Sequence, residues 1–396
     1  MRRRVFYIPG YDPIPPRRYR ELYRKEGADQ AAISGYELTT APWKPPAGGF
    51  GWRARTLTEG QPAEAEIEVL VWSDIVQGSM GRSILATYGQ LLRTAWVYIG
   101  SGALFRLMRL RRGPVIAALY PIVALVVQLL LALGLGALLV WGAGLLGLPL
   151  WAGLPFGAGL TWAVLRWFQA HDGRFFAYYL MHDYAYSARW LGATPPDLAA
   201  RQRDFADRIH AALTDPTYDE VLVVGHSSGV HIGVEVLADL TTRLGVPDAA
   251  RLGFLSLGQV LPMVSFLPQA RSLRRHLADL SRRRDLTWID VTAPGDGAAF
   301  ALCDPVAVTG VAPPDQCWPL ILSAAYSQTL SPARQAAIKW RFFRRHIQYL
   351  CAFDRPDWYD YFQITAGPLT LAERFADRAP SKSRKTRAVN RHRSMT

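Results

Sequence analysis

Val221-Leu-Val-Val-Gly225-His226-Ser227-Ser228-Gly229-Val-His-Ile-Gly-Val-Glu-Val-Leu237 is the stretch that decides how this chain is read. Its first four residues are all β-branched or leucine, which predicts a strand over 221–224 buried on both faces, as in a parallel sheet. The residues from 230 to 244 have the apolar period of a helix. Between them Gly225-x-Ser227-x-Gly229 makes a sharp strand-to-helix turn, with Ser227 lifted clear of the sheet in a strained conformation. Glycines at 225 and 229 remove the Cβ atoms that would collide with the neighbouring strand and helix, and the helix N-terminus is aimed at the serine. Small residues produce the five-residue pattern by chance; the strand before it and the helix after it give it meaning.

Working outward, short apolar runs alternate with amphipathic stretches. Strands are expected over 5–8, 36–40, 52–57, 67–72, 252–257 and 286–291, and helices over 16–25, 196–213, 270–283 and 332–349. That alternation predicts an α/β fold, a mostly parallel sheet with helices on both faces.

One segment does not fit a soluble α/β protein. Residues 113–165 contain no Asp, Glu, Lys, Arg or His, and about 20 apolar residues suffice to cross a bilayer. A two-helix transmembrane hairpin is expected, with spans near 115–140 and 150–168. Arg106, Arg109, Arg111 and Arg112 precede it and Arg166, His171 and Arg174 follow it, so both ends face the cytoplasm. Trp141 and Trp151 suit the far interface, Trp167 and Phe168 the near one. The stretch 84–110 reads as an amphipathic helix on the inner membrane surface, or as an ordinary core helix. The expected organisation is thus 1–83, the first part of the α/β domain; 84–113, the surface helix; 114–168, the hairpin; 169–377, the second part of the domain; and 378–396, a basic disordered tail. The expected setting is the cell inner membrane, with two spans and both termini cytoplasmic.

Composition narrows the rest. Lys and Arg number 45 against 32 Asp and Glu, a net charge of +13, and 50% of the residues are hydrophobic. The apolar content excludes a disordered chain. Cys303, Cys317 and Cys351 are too few and too scattered for a disulfide framework or a zinc site. Met1-Arg-Arg-Arg starts like a signal peptide, but the following apolar run ends at Pro9-Gly10 after four residues. The basic tail suits anionic lipid headgroups or solvent rather than nucleic acid. Gly142-Ala-Gly144-Leu-Leu-Gly147 matches a dinucleotide fingerprint but has no strand before it. No cofactor and no metal site are expected, and the oligomeric state is not readable.

With these residues in view, Gly225-His226-Ser227-Ser228-Gly229 resembles the Gly-His-Ser-x-Gly elbow of lipases and esterases in the α/β-hydrolase superfamily, a resemblance covering 5–74 and 196–350. It implies a serine nucleophile, Ser227, followed along the chain by an acid and then a histidine. Of the histidines after the candidate acids, His392 lies in the tail, leaving His346 as the base. Asp296, in the loop after the strand 286–291, is the favoured acid, with Asp290 and Asp304 as alternatives. The oxyanion-hole donors would be the amides of Ser228 and Tyr11. Pro9 stands where that family usually has His, and the strand at residue 5 has none before it; the segment 36–57 is the replacement expected for the missing pair.

The resemblance implies a serine hydrolase cleaving an acyl ester; with the hairpin added, an integral-membrane enzyme is expected, its lipid-like substrate reaching the site from the inner leaflet. The alternatives are an acyltransferase or thioesterase with the same triad, or a catalytically inactive hydrolase-fold scaffold on the membrane.

Overall fold

The computed structural model describes residues 1–80, 83–244 and 251–396. Its centre is an eight-stranded sheet built from β1 (Arg2–Ile8), β2 (Glu37–Trp43), β3 (Phe50–Thr58), β4 (Gln61–Val69), β5 (Glu220–His226), β6 (Leu252–Leu257), β7 (Thr287–Thr292) and β8 (Leu320–Ser323). The order is β2-β3-β4-β1-β5-β6-β7-β8. Only β2 and β3 run antiparallel to their neighbours; from β4 to β8 every pairing is parallel. This is an α/β architecture, and the segment 36–57 supplies its antiparallel edge.

Side chains alternate between the two faces, as the pleat requires. Phe6, Val221, Val223, Phe254 and Trp288 point to one face, against Phe205 and Ile209 of the helix Pro196–Thr214, Val234 of Gly229–Asp239 and Leu277 of Arg271–Ser281. Val5, Leu222, Val224, Leu255 and Val291 point to the other, against Tyr23 of the helix Arg17–Ser34 and the C-terminal aromatics Tyr349, Phe353 and Phe362. Buried on both sides, β5 carries no polar face, which is why its sequence reads as a continuous apolar run.

Several expectations are corrected. The arginines of Met1-Arg-Arg-Arg are strand residues: Arg3 is buried against Glu220 and Arg4 against Glu68. The stretch 332–349 is three short pieces, Pro332–Ile338, Phe342–His346 and a 3₁₀ turn Ile347–Leu350. Its apolar period lapses at Lys339-Trp340-Arg341, where Trp340 is exposed. β8 was not expected; four residues beside prolines are too few to show a period.

The 84–110 stretch is two helices, Ile84–Gly100 and Ala103–Leu110, parted at Gly102, whose φ of 71° stops the first. The helices Arg112–Leu145 and Leu150–Ala170 follow and pack side by side. At their crossing a Cβ on Gly157 would lie 2.8 Å from the Gly136 carbonyl oxygen, so only small residues allow this approach. The two-span expectation is corrected: among the described residues only Arg112–Leu145 is long and apolar enough to cross a membrane. Leu150–Ala170 is interrupted by Gly153, Pro155, Gly157, Gly159 and Arg166, and falls short.

The tail is not disordered. Lys385 exchanges backbone hydrogen bonds with Leu302 and Asp304, and Val389 N–H donates to Val308. Asn390, 2% exposed, donates to the Ser265 carbonyl. Lys385 Nζ reaches the Leu110 carbonyl and Arg106 the Val389 carbonyl. A charged segment is held here by backbone pairing and one buried amide, neither of which leaves a hydropathy signal.

Candidate active site

β5 ends at His226 and a helix begins at Gly229, leaving Ser227 and Ser228 in the turn. Ser227 has a φ of 58°, the left-handed region that costs a side-chain-bearing residue about 1 kcal/mol or more. The turn closes because its flanks carry no Cβ. One on Gly225 would lie 2.8 Å from Val230 Cα, and one on Gly229 only 2.2 Å from the Ile8 carbonyl oxygen. Ser227 N–H donates to the Leu257 carbonyl at 2.9 Å, tying the elbow to the end of β6.

The loop after β1 meets the elbow directly. Tyr11 N–H donates to Ser228 Oγ at 2.8 Å, and the Ser228 amide has no acceptor among the described residues. The two amides expected to hold an oxyanion therefore adjoin the same serine pair, with the Ser228 hydroxyl between them.

His346 arrives from the opposite side of the sheet. Its Nδ1 lies 2.8 Å from Asp296 Oδ2. Asp296 accepts a second bond on the same oxygen from Tyr349 OH (3.0 Å), and on Oδ1 one from Ala298 N–H (2.9 Å). Gly258 locates the imidazole relative to the elbow. It follows Leu257, and a Cβ placed on it would be 3.3 Å from His346 Cε1. The His226 and His346 rings are 4.9 Å apart. Ser227, His346 and Asp296 are thus gathered at the carboxyl ends of β5, β6 and β7. No hydrogen bond joins the Ser227 hydroxyl to His346 among the described residues; without substrate such contacts are commonly long.

The alternative acids have other duties. Asp290 lies inside β7, fully buried, accepting from Ser256 Oγ at 2.6 Å. Asp304 caps the helix Pro305–Thr309, accepting from Val306 and Ala307 N–H.

Electrostatics follow from burial and pairing. Burial penalises the Asp296 carboxylate, but His346, with the Ala298 and Tyr349 donors, outweighs it and holds its pKa below the usual value. Burial likewise opposes the His346 imidazolium, yet Asp296, with Asp183 adding to it, holds the pKa above the usual histidine value. Burial, then His346, drives His226 down to about 3, so its ring is neutral and Nε2–H donates to the His346 carbonyl at 3.0 Å. An imidazole acting as general base must be neutral, so any hydrolysis that uses His346 as base is expected to rise with pH through a value above the usual histidine pKa. Asp183→Asn removes one carboxylate favouring the imidazolium and is expected to move that limb to lower pH. kcat/KM measured against pH checks this; an unmoved limb counts against it.

Sequence reasoning missed three supporting residues. His226 anchors the His346 backbone, Tyr349 hydrogen-bonds Asp296, and Asp183 (on the helix Ala177–Arg189) faces His346. Tyr349, three residues beyond His346, was the one within reach of its spacing; the other two carry no local signal. Asp183 also lines, with Tyr11, Tyr186 and Ser228, a cavity of about 30 Å³ beside the elbow, too small for an acyl chain.

The long apolar helix Arg112–Leu145 starts next to this site. Arg111 donates to the Pro294 carbonyl at 2.6 Å, and Gly113 packs on Gly297, so the long helix rests on the loop that carries Asp296. Comparison with protein-family models, with curated proteins and with solved structures finds no match to this chain.

Proposed function

We propose that this chain is a membrane-associated serine hydrolase of the α/β-hydrolase type that cleaves acyl esters, with Ser227 as nucleophile, His346 as base and Asp296 as acid. One observation carries the reading: a serine at positive φ between a parallel strand and a helix, beside an imidazole paired with a buried carboxylate. His346 takes the Ser227 proton as the hydroxyl oxygen attacks the ester carbonyl. Asp296 holds the Nδ1–H tautomer and stabilises the imidazolium. The Tyr11 and Ser228 amides receive the oxyanion, with the Ser228 hydroxyl turning aside or adding its own proton. The alkoxide leaves with the proton from His346, and water, deprotonated by the same imidazole, releases the acid.

Membrane attachment, with the catalytic part on the cytoplasmic side of the inner membrane, is supported by the apolar helix Arg112–Leu145 rising from the acid loop and by the basic residues at both ends of the helix pair, Arg106, Arg109, Arg111 and Arg112 before it and Arg166 and Arg174 at its close. A lipid ester is the substrate class this arrangement favours. Full-length protein treated with a fluorophosphonate is expected to carry the label on the peptide containing Ser227. A folded protein that takes up no label would favour the scaffold reading. Long-chain lipid esters are expected to be cleaved faster than short soluble ones, and product analysis separates hydrolysis from acyl transfer.

A further inference from the structure

A cleft of about 910 Å³ lies beside the site, between the helices Ser73–Ser79, Ile84–Gly100 and Ala177–Arg189 and the turn at Pro195–Asp197. Its inner end is one side chain away from the oxyanion loop. Ser79 Oγ is 2.6 Å from Tyr11 OH, and the Tyr186 ring, 5.9 Å from that of Tyr11, borders both this cleft and the small cavity at Ser228. The Tyr186 hydroxyl is buried with no partner among the described residues.

We propose that this cleft seats the phosphate-bearing headgroup of a lipid ester, with Arg93 and Arg189 holding the phosphate; the assignment deepens the hydrolase reading and rests on it. The cleft's own carboxylates are engaged. Asp74 is held by both arms of Arg201, at 2.9 and 2.7 Å, and Asp197 accepts from Leu198 N–H. Arg93 and Arg189 stand on facing helices, and neither pairs with a carboxylate among the described residues. Arg93 donates to the Arg189 carbonyl at 3.1 Å, which brings the two guanidinium-bearing residues together. Guanidinium groups are the side chains best shaped for phosphate oxygens.

The surroundings say how such a ligand arrives. Ala86, Gly89, Gln90 and Arg93 recur three and four residues apart and form the face of the helix Ile84–Gly100 that lines the cleft. About a quarter-turn round the same helix, Leu85, Leu92 and Trp96 are 73%, 70% and 78% exposed. An apolar face of that exposure is suited to the acyl boundary of a bilayer. A lipid resting its chains there can turn its headgroup into the cleft, with its ester on the Tyr186 side.

The test uses ligands with no ester to cut. Full-length protein in neutral detergent is titrated with a dialkylglycerol phosphate and with the corresponding dialkylglycerol. The phosphate lipid is expected to bind at least 10-fold tighter. The Arg93→Gln/Arg189→Gln double variant is expected to lose that advantage while binding the neutral lipid unchanged, and the Lys/Lys variant to keep part of it. Equal binding of the two lipids by the wild type overturns the proposal, whether or not the variants fold. So does a Gln/Gln variant that keeps the full preference, or inorganic phosphate binding as tightly as the lipid. Because these ligands are inert, a negative result here leaves fluorophosphonate labelling of Ser227 intact, and absence of labelling leaves this binding result intact.

Discussion

Ser227→Ala is expected to lower ester hydrolysis by roughly 10⁶-fold while leaving the protein folded, the scale on which a triad nucleophile acts. Alanine keeps the Cβ and so the same positive-φ cost that Ser227 bears, which removes backbone relaxation as an explanation for the loss. Asp296→Asn is expected to cost about 10⁴-fold, because an amide that donates to His346 fixes the wrong tautomer without moving the ring. Asp290→Asn and Asp304→Asn serve as comparisons. The first is a strand residue bonded to Ser256 and the second a helix cap that asparagine can replace. Steady-state hydrolysis of one long-chain ester, with melting temperatures for all four variants, decides the matter. An Asp296→Asn enzyme within 10-fold of wild type would overturn the acid assignment.

Gly229→Ala is expected to destabilise the fold by about 3 kcal/mol or more, at the upper end of what overpacking costs. The added methyl would sit 2.2 Å from the Ile8 oxygen and 2.6 Å from the Pro9 oxygen. Both are backbone atoms, so relief means shifting the end of β1 and with it the Tyr11 amide. Gly159→Ala, where nothing lies within 4 Å, is the control, and it gains helix propensity instead. Thermal unfolding and the yield of folded protein measure both; a Gly229→Ala variant that melts with wild type would defeat the steric account of the elbow.

The central strands are legible from sequence because they are buried on both faces: 221–224 in β5 is an unbroken apolar run, and β6 and β7 are mostly apolar runs broken by the buried pair Ser256 and Asp290. The elbow is legible because its glycines are demanded by contacts within a few residues and with β1. Other features depend on distant partners. The break-up of 332–349 presents His346 in a one-turn helix, and only Asp296 and the His226 ring explain its placement. The tail looked unstructured because its order comes from backbone bonds to Leu302 and Val308, which basic side chains do not advertise. Length and lack of charge make 150–168 read as a span, but Gly153 and Gly157 serve contact with the neighbouring helix and lower the hydropathy of the stretch.

β1 pairs with β4, some sixty residues ahead, and with β5, more than two hundred ahead, with the long apolar helix Arg112–Leu145 in between. The sheet is therefore two half-sheets joined along a single seam, and loop-closure entropy makes that seam late to form. Tyr11 stands on one side of it and Ser227 on the other. On the proposed reading, a partly synthesised chain has no working site: until the seam closes, Ser227 lacks the Tyr11 amide, so reactivity would arrive only together with completion of the scaffold.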